Sequence, residues 1–398
     1  MDALGIYISV PFCRSKCSFC NFASGVFPAR YFAPYVARVV DDLRSVRPRM
    51  NAIGVQVPGV VDTIYFGGGT PSILPPELLR QLMAAMRAEF DILSGAEFTV
   101  ECAPGQLDDE MLEAMLEAGL NRVSFGVQSF DYREVAAVGR LHDRHTALRD
   151  IDHVRAAGVR AISLDLIAGL PLQTAASFNE SLDVAAAADL DHASVYMFEV
   201  DDDSRLGGEV LAGGLKYFAP RVPPDDVVAD MYAQAVEVLA VAGLAQYEIS
   251  NFARANCESR HNRKYWTRRP YLGFGLDAHS MLRSPEGDVR FAQTDDLEAF
   301  LAGQAPPDVQ RLSRREALEE AWFMGLRLNE GVDEPAIAAE FAAADSFSDV
   351  VEELASDGLL ERAGARVRLT PRGRLLSNEV FERFLIGDLQ LGEAAFWH

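Results

Sequence analysis

From Gly5 to about Ser250, short apolar or β-branched runs alternate with longer segments whose apolar positions recur every three or four residues. The short runs cover 5–10, 63–66, 97–101, 122–126, 162–167 and 193–198, each the length of a buried or half-buried strand. Between them, the segments that begin at Leu78, Asp108, His145 and Asp225 carry the helical period, and Gly119, Gly158 and Gly243 stand where such helices should stop. Six βα units of this kind predict an α/β fold with a parallel sheet, a barrel or part of one. In that architecture the working residues gather where strands end and loops begin, at the C-terminal edge of the sheet.

Past Ala305-Pro306-Pro307 the pattern changes. Helical stretches from Ser313, Glu334 and Phe347 precede LLERAGARVRLTPRG, which reads as two short strands turning at Ala363-Gly364, followed by a last helix. The expected organisation is therefore a core over 1–285, a connector over 286–310 and a small winged-helix-like α+β domain over 311–398. Winged helices often bind DNA, but from Leu312 onward there are nine Arg and no Lys against seventeen Asp plus Glu, a net of −8, so a lid or interaction module is the better expectation.

Composition narrows the function classes. The 398 residues are 49% hydrophobic, and the formal net charge of −22 argues against a nucleic-acid partner, which needs clustered Lys and Arg. No window approaches the ~18 uncharged apolar residues of a spanning helix, and the N-terminus has no basic region followed by a long apolar core. A cytoplasmic protein without a transmembrane segment is expected. Five cysteines, three of them crowded together, make a poor disulfide framework and a better metal site in a reducing compartment.

That crowd is Cys13, Cys17 and Cys20, at C-x3-C-x2-C spacing directly after the first strand. Three thiolates within eight residues can wrap one metal centre but leave a coordination position open, as catalytic centres do and structural ones do not. The plainer alternative is a zinc site completed by Cys102, Cys257 or a histidine. Other chemistry-bearing residues fall at strand ends: Gly67-Gly68-Gly69-Thr70-Pro71 after the second strand, Glu101 at the end of the third and Gln128 after the fourth, with Asp165 inside the fifth. Taken alone, the glycines could be a tight turn, Glu101 a helix cap and Arg140 a surface residue.

Together with YISVPFCRSKCSFCNF, the stretches YFGGGTPS, EFTVECAPG, NRVSFGVQSF, VGRLH, ISLDLIAGLP, YEISNFAR, SRHNRKYW and YLGFGLDAHS occur in an order that resembles the radical S-adenosylmethionine (SAM) family. Within it the chain is similar to the oxygen-independent coproporphyrinogen III oxidase group, and most to its heme chaperone branch. The resemblance implies a partial (β/α)6 radical SAM barrel and a four-iron, four-sulfur (4Fe-4S) cluster on Cys13, Cys17 and Cys20, whose open iron is chelated by SAM. It implies SAM-site roles for Tyr7, Phe19, Gly68, Gly69, Thr70, Glu101, Gln128, Arg140 and Asp165, with His279 near a second cofactor pocket. Glu101 suits an ammonium, Arg140 a carboxylate and Asp165 ribose hydroxyls.

Two departures bear on function. Phe22 stands where the coproporphyrinogen dehydrogenases carry a fourth cysteine, and Ser9 stands where the family usually has histidine. The run His261 to Trp266 resembles the H-N-x-x-Y-W motif proposed for heme contact, which would assign His261, Tyr265 and Trp266 to heme. The acidic loop from Glu199 to Asp203 differs from the family's usual Thr-Val-Glu-Pro and is expected to be solvated. The resemblance thus implies a heme chaperone that serves client hemoproteins and takes electrons from a donor. The competing expectation is a radical SAM enzyme that decarboxylates coproporphyrinogen III or acts on another tetrapyrrole.

Overall fold

The computed structural model describes residues 2–303, 309–342 and 347–385, so the end of the expected C-terminal domain, 386–398, lies outside it. The first half alternates β1 (Leu4–Val10), α1 (Phe32–Ala52), β2 (Val60–Gly68), α2 (Pro76–Glu89), β3 (Asp91–Cys102), α3 (Asp109–Ala118), β4 (Arg122–Gln128), α4 (Tyr132–Ala137), α5 (Arg144–Ala156), β5 (Ala161–Ala168), α6 (Ala175–Ala187) and β6 (His192–Met197). There follow α7 (Arg205–Leu211), α8 (Asp225–Val241), β7 (Ala245–Gln246), β8 (Asn251–Ala253), α9 (Arg260–Trp266), β9 (Tyr271–Phe274), β10 (His279–Leu282), β11 (Val289–Ala292), α10 (Leu297–Leu301) and β12 (Gln310–Arg311).

These strands form one sheet in the order β12-β11-β10-β9-β1-β2-β3-β4-β5-β6-β8-β7, whose parallel centre is the expected partial barrel. Two features exceed the expectation. A seventh parallel strand, β9, pairs with β1 through Gly5 and Tyr271. Strand β3 also begins at Asp91 rather than near Glu97, because β2 offers Val60 and Val61 as partners to a segment whose own residues, Asp91, Ser94 and Gly95, are weak strand formers. Residues 286–310 carry β11 and α10, and β11 lies within the sheet between β10 and β12.

Side-chain parity along the strands positions the site. One parity, Ile6, Ile8, Ile64, Phe66, Phe98, Val100, Val123, Phe125, Leu164, Leu166 and Val195 among others, packs with the helices in the main apolar core. The other parity is polar: Tyr65, Thr99, Glu101, Arg122, Ser124, Ser163, Asp165, His192, Ser194 and Tyr196 line a cavity on the concave face. The βα turns are fixed by local chemistry, as where the Asp108 carboxylate caps α3 by accepting from the Met111 amide and Gly119 closes the helix at φ 103°.

The C-terminal module comprises α11 (Arg314–Arg327), β13 (Val332–Asp333), α12 (Glu334–Phe341), α13 (Ser348–Ser356), β14 (Leu360–Ala363), β15 (Arg366–Leu369), α14 (Pro371–Leu375) and α15 (Ser377–Glu382). Its helices and the β14–β15 wing match the expected winged-helix arrangement, with β13 pairing on the outer side of β15. A second apolar cluster, in which Trp322 stacks on Phe384 at 5.2 Å, also takes in Trp266 of α9 and so joins module to barrel.

Buried charge joins them too. Arg290 of β11 makes two hydrogen bonds to Glu320 of α11, at 2.5 and 2.7 Å, and a third to the Tyr271 hydroxyl at 3.1 Å. Arg268, also buried, lies 3.5 Å from Glu320 of α11 and from Glu340 of α12, and at the surface Arg283 reaches Glu340 at 2.6 Å. Part of the module's acidic excess thus answers arginines of the barrel. Removing one side of such a pair strands the other charge, so Glu320→Ala is expected to lower stability by about 3–5 kcal/mol, read as a shifted midpoint in urea unfolding followed by far-UV circular dichroism.

Candidate functional site

Strand β1 runs into Pro11, and the loop beyond it is closed by backbone. The Cys13 amide donates to the Gly25 carbonyl at 2.9 Å, and the Gly25 amide donates to the Pro11 carbonyl at 2.8 Å. Within this loop Cys17 is buried, Cys13 and Cys20 are half-buried, and all three are free thiols. The glycine loop after β2 is tied to it by the Gly69 amide on the Val10 carbonyl and the Thr70 amide on the Phe12 carbonyl, both at 2.9 Å. A Cβ on Gly69 would lie 2.7 Å from the Val10 carbonyl oxygen, 2.8 Å from that of Phe12 and 3.0 Å from Cys13 Sγ, so only glycine fits. Gly68, at φ 95°, lies against Ser9, the residue in place of the family histidine: a Cβ there would meet its Oγ at 2.8 Å.

Among the described residues, no three His, Cys, Asp or Glu side chains are gathered as ligands of a single ion. A four-iron cluster takes one thiolate per iron, so its cysteines need not converge on one point. Cys102 points to the other face of β3 into the apolar core, where burial pushes its thiol up to about 12. The close-packed loops and their three free thiols fit a cluster ligated by Cys13, Cys17 and Cys20.

Beside the glycine loop, the Glu101 carboxylate accepts from the Tyr65 hydroxyl at 2.8 Å and from the Gly68 amide at 3.2 Å. Burial outweighs these bonds and pushes the Glu101 carboxyl up to about 7, with Asp165 nearby adding to the rise. Asp165 accepts from Ser124 at 3.2 Å and is itself pushed up to about 6 by burial. Arg140 reaches into the same space, its guanidinium 3.8 Å from Cys17 Sγ and hydrogen-bonded to the Gly126 carbonyl, while its buried Nε has no partner. A Cβ on Gly126 would collide with Arg140 and approach Gln128 Nε2 at 3.0 Å, so that glycine makes the approach possible.

Tyr7 faces the same cavity from β1, its ring 6.0 Å from that of Tyr65. Phe19 packs against a small apolar group of Val138, Ile167 and Leu170. Tyr7, Gly68, Gly69, Thr70, Glu101, Gln128, Arg140 and Asp165 therefore sit together around the concave face and its C-terminal rim. His279, at the start of β10, is part-exposed with Nε2 3.9 Å from Asp277, and burial pushes its imidazole down to about 4.

The H-N-x-x-Y-W run is helix α9, at the opposite end of the strands. The Glu97 carboxylate receives the Arg260 and His261 amides at 3.0 and 2.9 Å, and Lys264 donates to the Ala3 carbonyl and pairs with Asp62, both at 2.7 Å. His261 has no solvent exposure. Its Nδ1 lies 2.9 Å from Thr63 Oγ1 and its Nε2 2.8 Å from the Tyr265 hydroxyl, so neither ring nitrogen is open to a metal in this arrangement. Trp266 lies beneath the Arg327 guanidinium at 4.2 Å, inside the cluster that holds the C-terminal module. These contacts are those of a packed floor, in contrast to the heme contacts expected of His261, Tyr265 and Trp266.

In the acidic loop, Glu199, Asp202 and Asp203 are exposed as expected, but Asp201 accepts from Asn21 of the cysteine loop at 3.1 Å. Phe22 is 37% exposed beside Cys20. Ser259 and Asn262 at the start of α9 also line the cavity, and its remaining residues, Tyr65, Thr99, Arg122, Ser124, Ser163, His192, Ser194 and Tyr196, are absent from the sequence-based expectation. Their signal is the polar parity of otherwise apolar strands, as in RVSFGVQ and ISLDLIA.

A sequence model of the radical SAM superfamily matches residues 7–185, and one of the HemN C-terminal domain matches residues 312–376. The heme chaperone HemW of Bacillus subtilis (strain 168) is 34% identical over 393 residues, covering 96% of this chain and 99% of that protein. The heme chaperone HemW of Escherichia coli (strain K12) is 29% identical, covering 97% and 99%. Among solved structures, the E. coli coproporphyrinogen III oxidase HemN, described as a radical SAM enzyme, superposes with a TM-score of 0.81 at 24% identity, over 96% of this chain and 90% of that one; at that identity the likeness speaks to the fold.

Proposed function

The chain belongs to the heme chaperone HemW family of the radical SAM superfamily, and from that premise we propose that it binds a 4Fe-4S cluster, SAM and heme and delivers heme to client hemoproteins. The observation that carries the reading is similarity to proteins named heme chaperones along nearly the whole chain. Phe22 supports it, because the fourth cysteine of the coproporphyrinogen dehydrogenases would stand there. The reading does not depend on His261, whose ring is enclosed.

A bound cluster with an open iron supplies single-electron chemistry toward SAM, the electron coming from a donor protein. Cys13, Cys17 and Cys20 hold the cluster, and the loop from Gly67 to Thr70 brings backbone against it without side-chain bulk. The ionised Glu101 carboxylate receives the SAM ammonium, Arg140 its carboxylate and Asp165 the ribose hydroxyls, each by charge or hydrogen-bond complementarity. Thiols kept free in this way suit a reducing compartment such as the cytoplasm.

One anaerobically reconstituted preparation tests the reading against the porphyrinogen alternative. Hemin titrated by absorbance is expected to bind stoichiometrically, while coproporphyrinogen III incubated with SAM and a reductant is expected to remain. Stoichiometric conversion to protoporphyrinogen, with no saturable hemin binding, would replace the chaperone with the decarboxylating enzyme.

A further inference from the structure

Helix α9 carries none of the residues expected to hold cluster or SAM, yet its His261 ring lies 6.5 Å from that of Tyr7, and an unbroken line of contacts leads from it to Glu101. Its first turn is fixed by Glu97 and its middle by Asp62 and the Ala3 carbonyl, so it is pinned under the N-terminal ends of β1, β2 and β3. There is no slack beneath it: a Cβ on Gly5 would meet Lys264 Cδ at 2.8 Å, Thr63 Oγ1 at 3.0 Å and His261 Cε1 at 3.3 Å. From that base the His261 ring, held between Thr63 and Tyr265, lies 5.3 Å from the Tyr65 ring and tilted 32° to it. The Tyr65 hydroxyl then donates to one oxygen of Glu101, whose other oxygen is held by the Gly68 amide.

We propose that α9 is the floor of the SAM site: His261 holds the Tyr65 ring, and Tyr65 orients the Glu101 carboxylate toward the ligand's ammonium. The proposal rests on Glu101 as the ammonium partner. Tyr65 and His261 act as positioning residues, because neither is placed against the cluster thiols. This gives the H-N-x-x-Y-W run a role that its burial permits. A carboxylate with both oxygens already fixed loses little freedom on binding, so the contact acts on affinity more than on folding.

The groups that face Glu101 are Tyr7 from β1, Tyr65 from β2, Asp165 from β5, Tyr196 from β6, Tyr265 from α9 and Arg140 from the loop after α4. Of these, Tyr65 is the side chain that hydrogen-bonds the carboxylate, and that bond favours the ionised form.

The test is equilibrium dialysis of SAM against the full chain, reconstituted with iron and sulfide, between pH 5.5 and 8.5 as arbitrary assay limits (roughly one to two units either side of Glu101). Tyr65→Phe, which keeps the ring, is expected to weaken SAM about tenfold at high pH. It should also move the midpoint of the affinity profile to higher pH, with iron and sulfide content unchanged. His261→Ala is expected to shift the profile in the same direction while retaining hemin binding. Wild-type affinity and midpoint in Tyr65→Phe would overturn the proposal alone. So would loss of hemin binding in His261→Ala with SAM binding intact. A wild-type protein that carries the cluster but binds no SAM would overturn it together with the assignment of Glu101.

Discussion

Alanine at any one of Cys13, Cys17 or Cys20 is expected to leave the anaerobically reconstituted protein with little iron and little acid-labile sulfide, against about four of each per chain in the wild type. The loss should be local. The loop that carries the thiols is shaped by backbone bonds, Cys13 to Gly25, Gly25 to Pro11 and Ser18 to Val138, which alanine leaves intact. Far-UV circular dichroism and unfolding midpoints should therefore stay near wild type while iron disappears. Two internal controls sharpen the result. Cys102 faces the apolar core on the far side of β3, and Cys257 follows β8 at the other end of the barrel, so alanine at either should keep the full complement. Full iron and sulfide in Cys17→Ala, or wild-type protein that takes up one zinc and no sulfide, would sink the cluster assignment.

The strands were legible wherever a buried run of β-branched or aromatic residues was long enough to show its period. That is why β1, β4, β5 and β6 appear within one or two residues of their expected bounds. The same alternation contained more than the motifs did. In RVSFGVQ, Val123, Phe125 and Val127 face the helices, and Arg122 and Ser124 face the cavity, so period-2 polarity inside a parallel strand marks a wet inner face rather than a solvated sheet. Strand β9 was not legible, because four residues that include Gly273 have no measurable period and β1 supplies the partner. Nor could a motif disclose the direction of α9. His261 and Tyr265 would read identically as ligands or as a floor, and only the fold puts Thr63, Glu97 and Asp62 around them. The acidity of the C-terminal module had the same character: its sign was plain, but the arginines that Glu320 and Glu340 answer, Arg268, Arg283 and Arg290, lie far away in the chain.

Glu101→Gln is expected to weaken SAM by about a hundredfold at pH 8, where the wild-type carboxylate is ionised, and to make what binding remains independent of pH near neutrality. The wild-type profile follows from the direction of its shift. Burial holds the ligand-free carboxyl near 7, above its unfolded value, so affinity for a cationic amino group should fall as pH drops through 7 and approach a tenfold loss per unit below it. Stability runs the other way. A carboxyl that binds its proton more tightly folded than unfolded favours folding at low pH, and that contribution is lost as pH rises from the unfolded value through 7. The ligand-free protein should therefore lose this part of its stability over the window in which SAM gains affinity, and thermal unfolding with and without SAM separates the two. The SAM-induced rise in Tm should grow from pH 6 to pH 8 in wild type and stay flat in Glu101→Gln. A rise that is equal at both pH values in the wild type would mean that the ammonium is held by another group. Asp165, the neighbouring carboxyl that burial raises to about 6, would then be the next residue to replace.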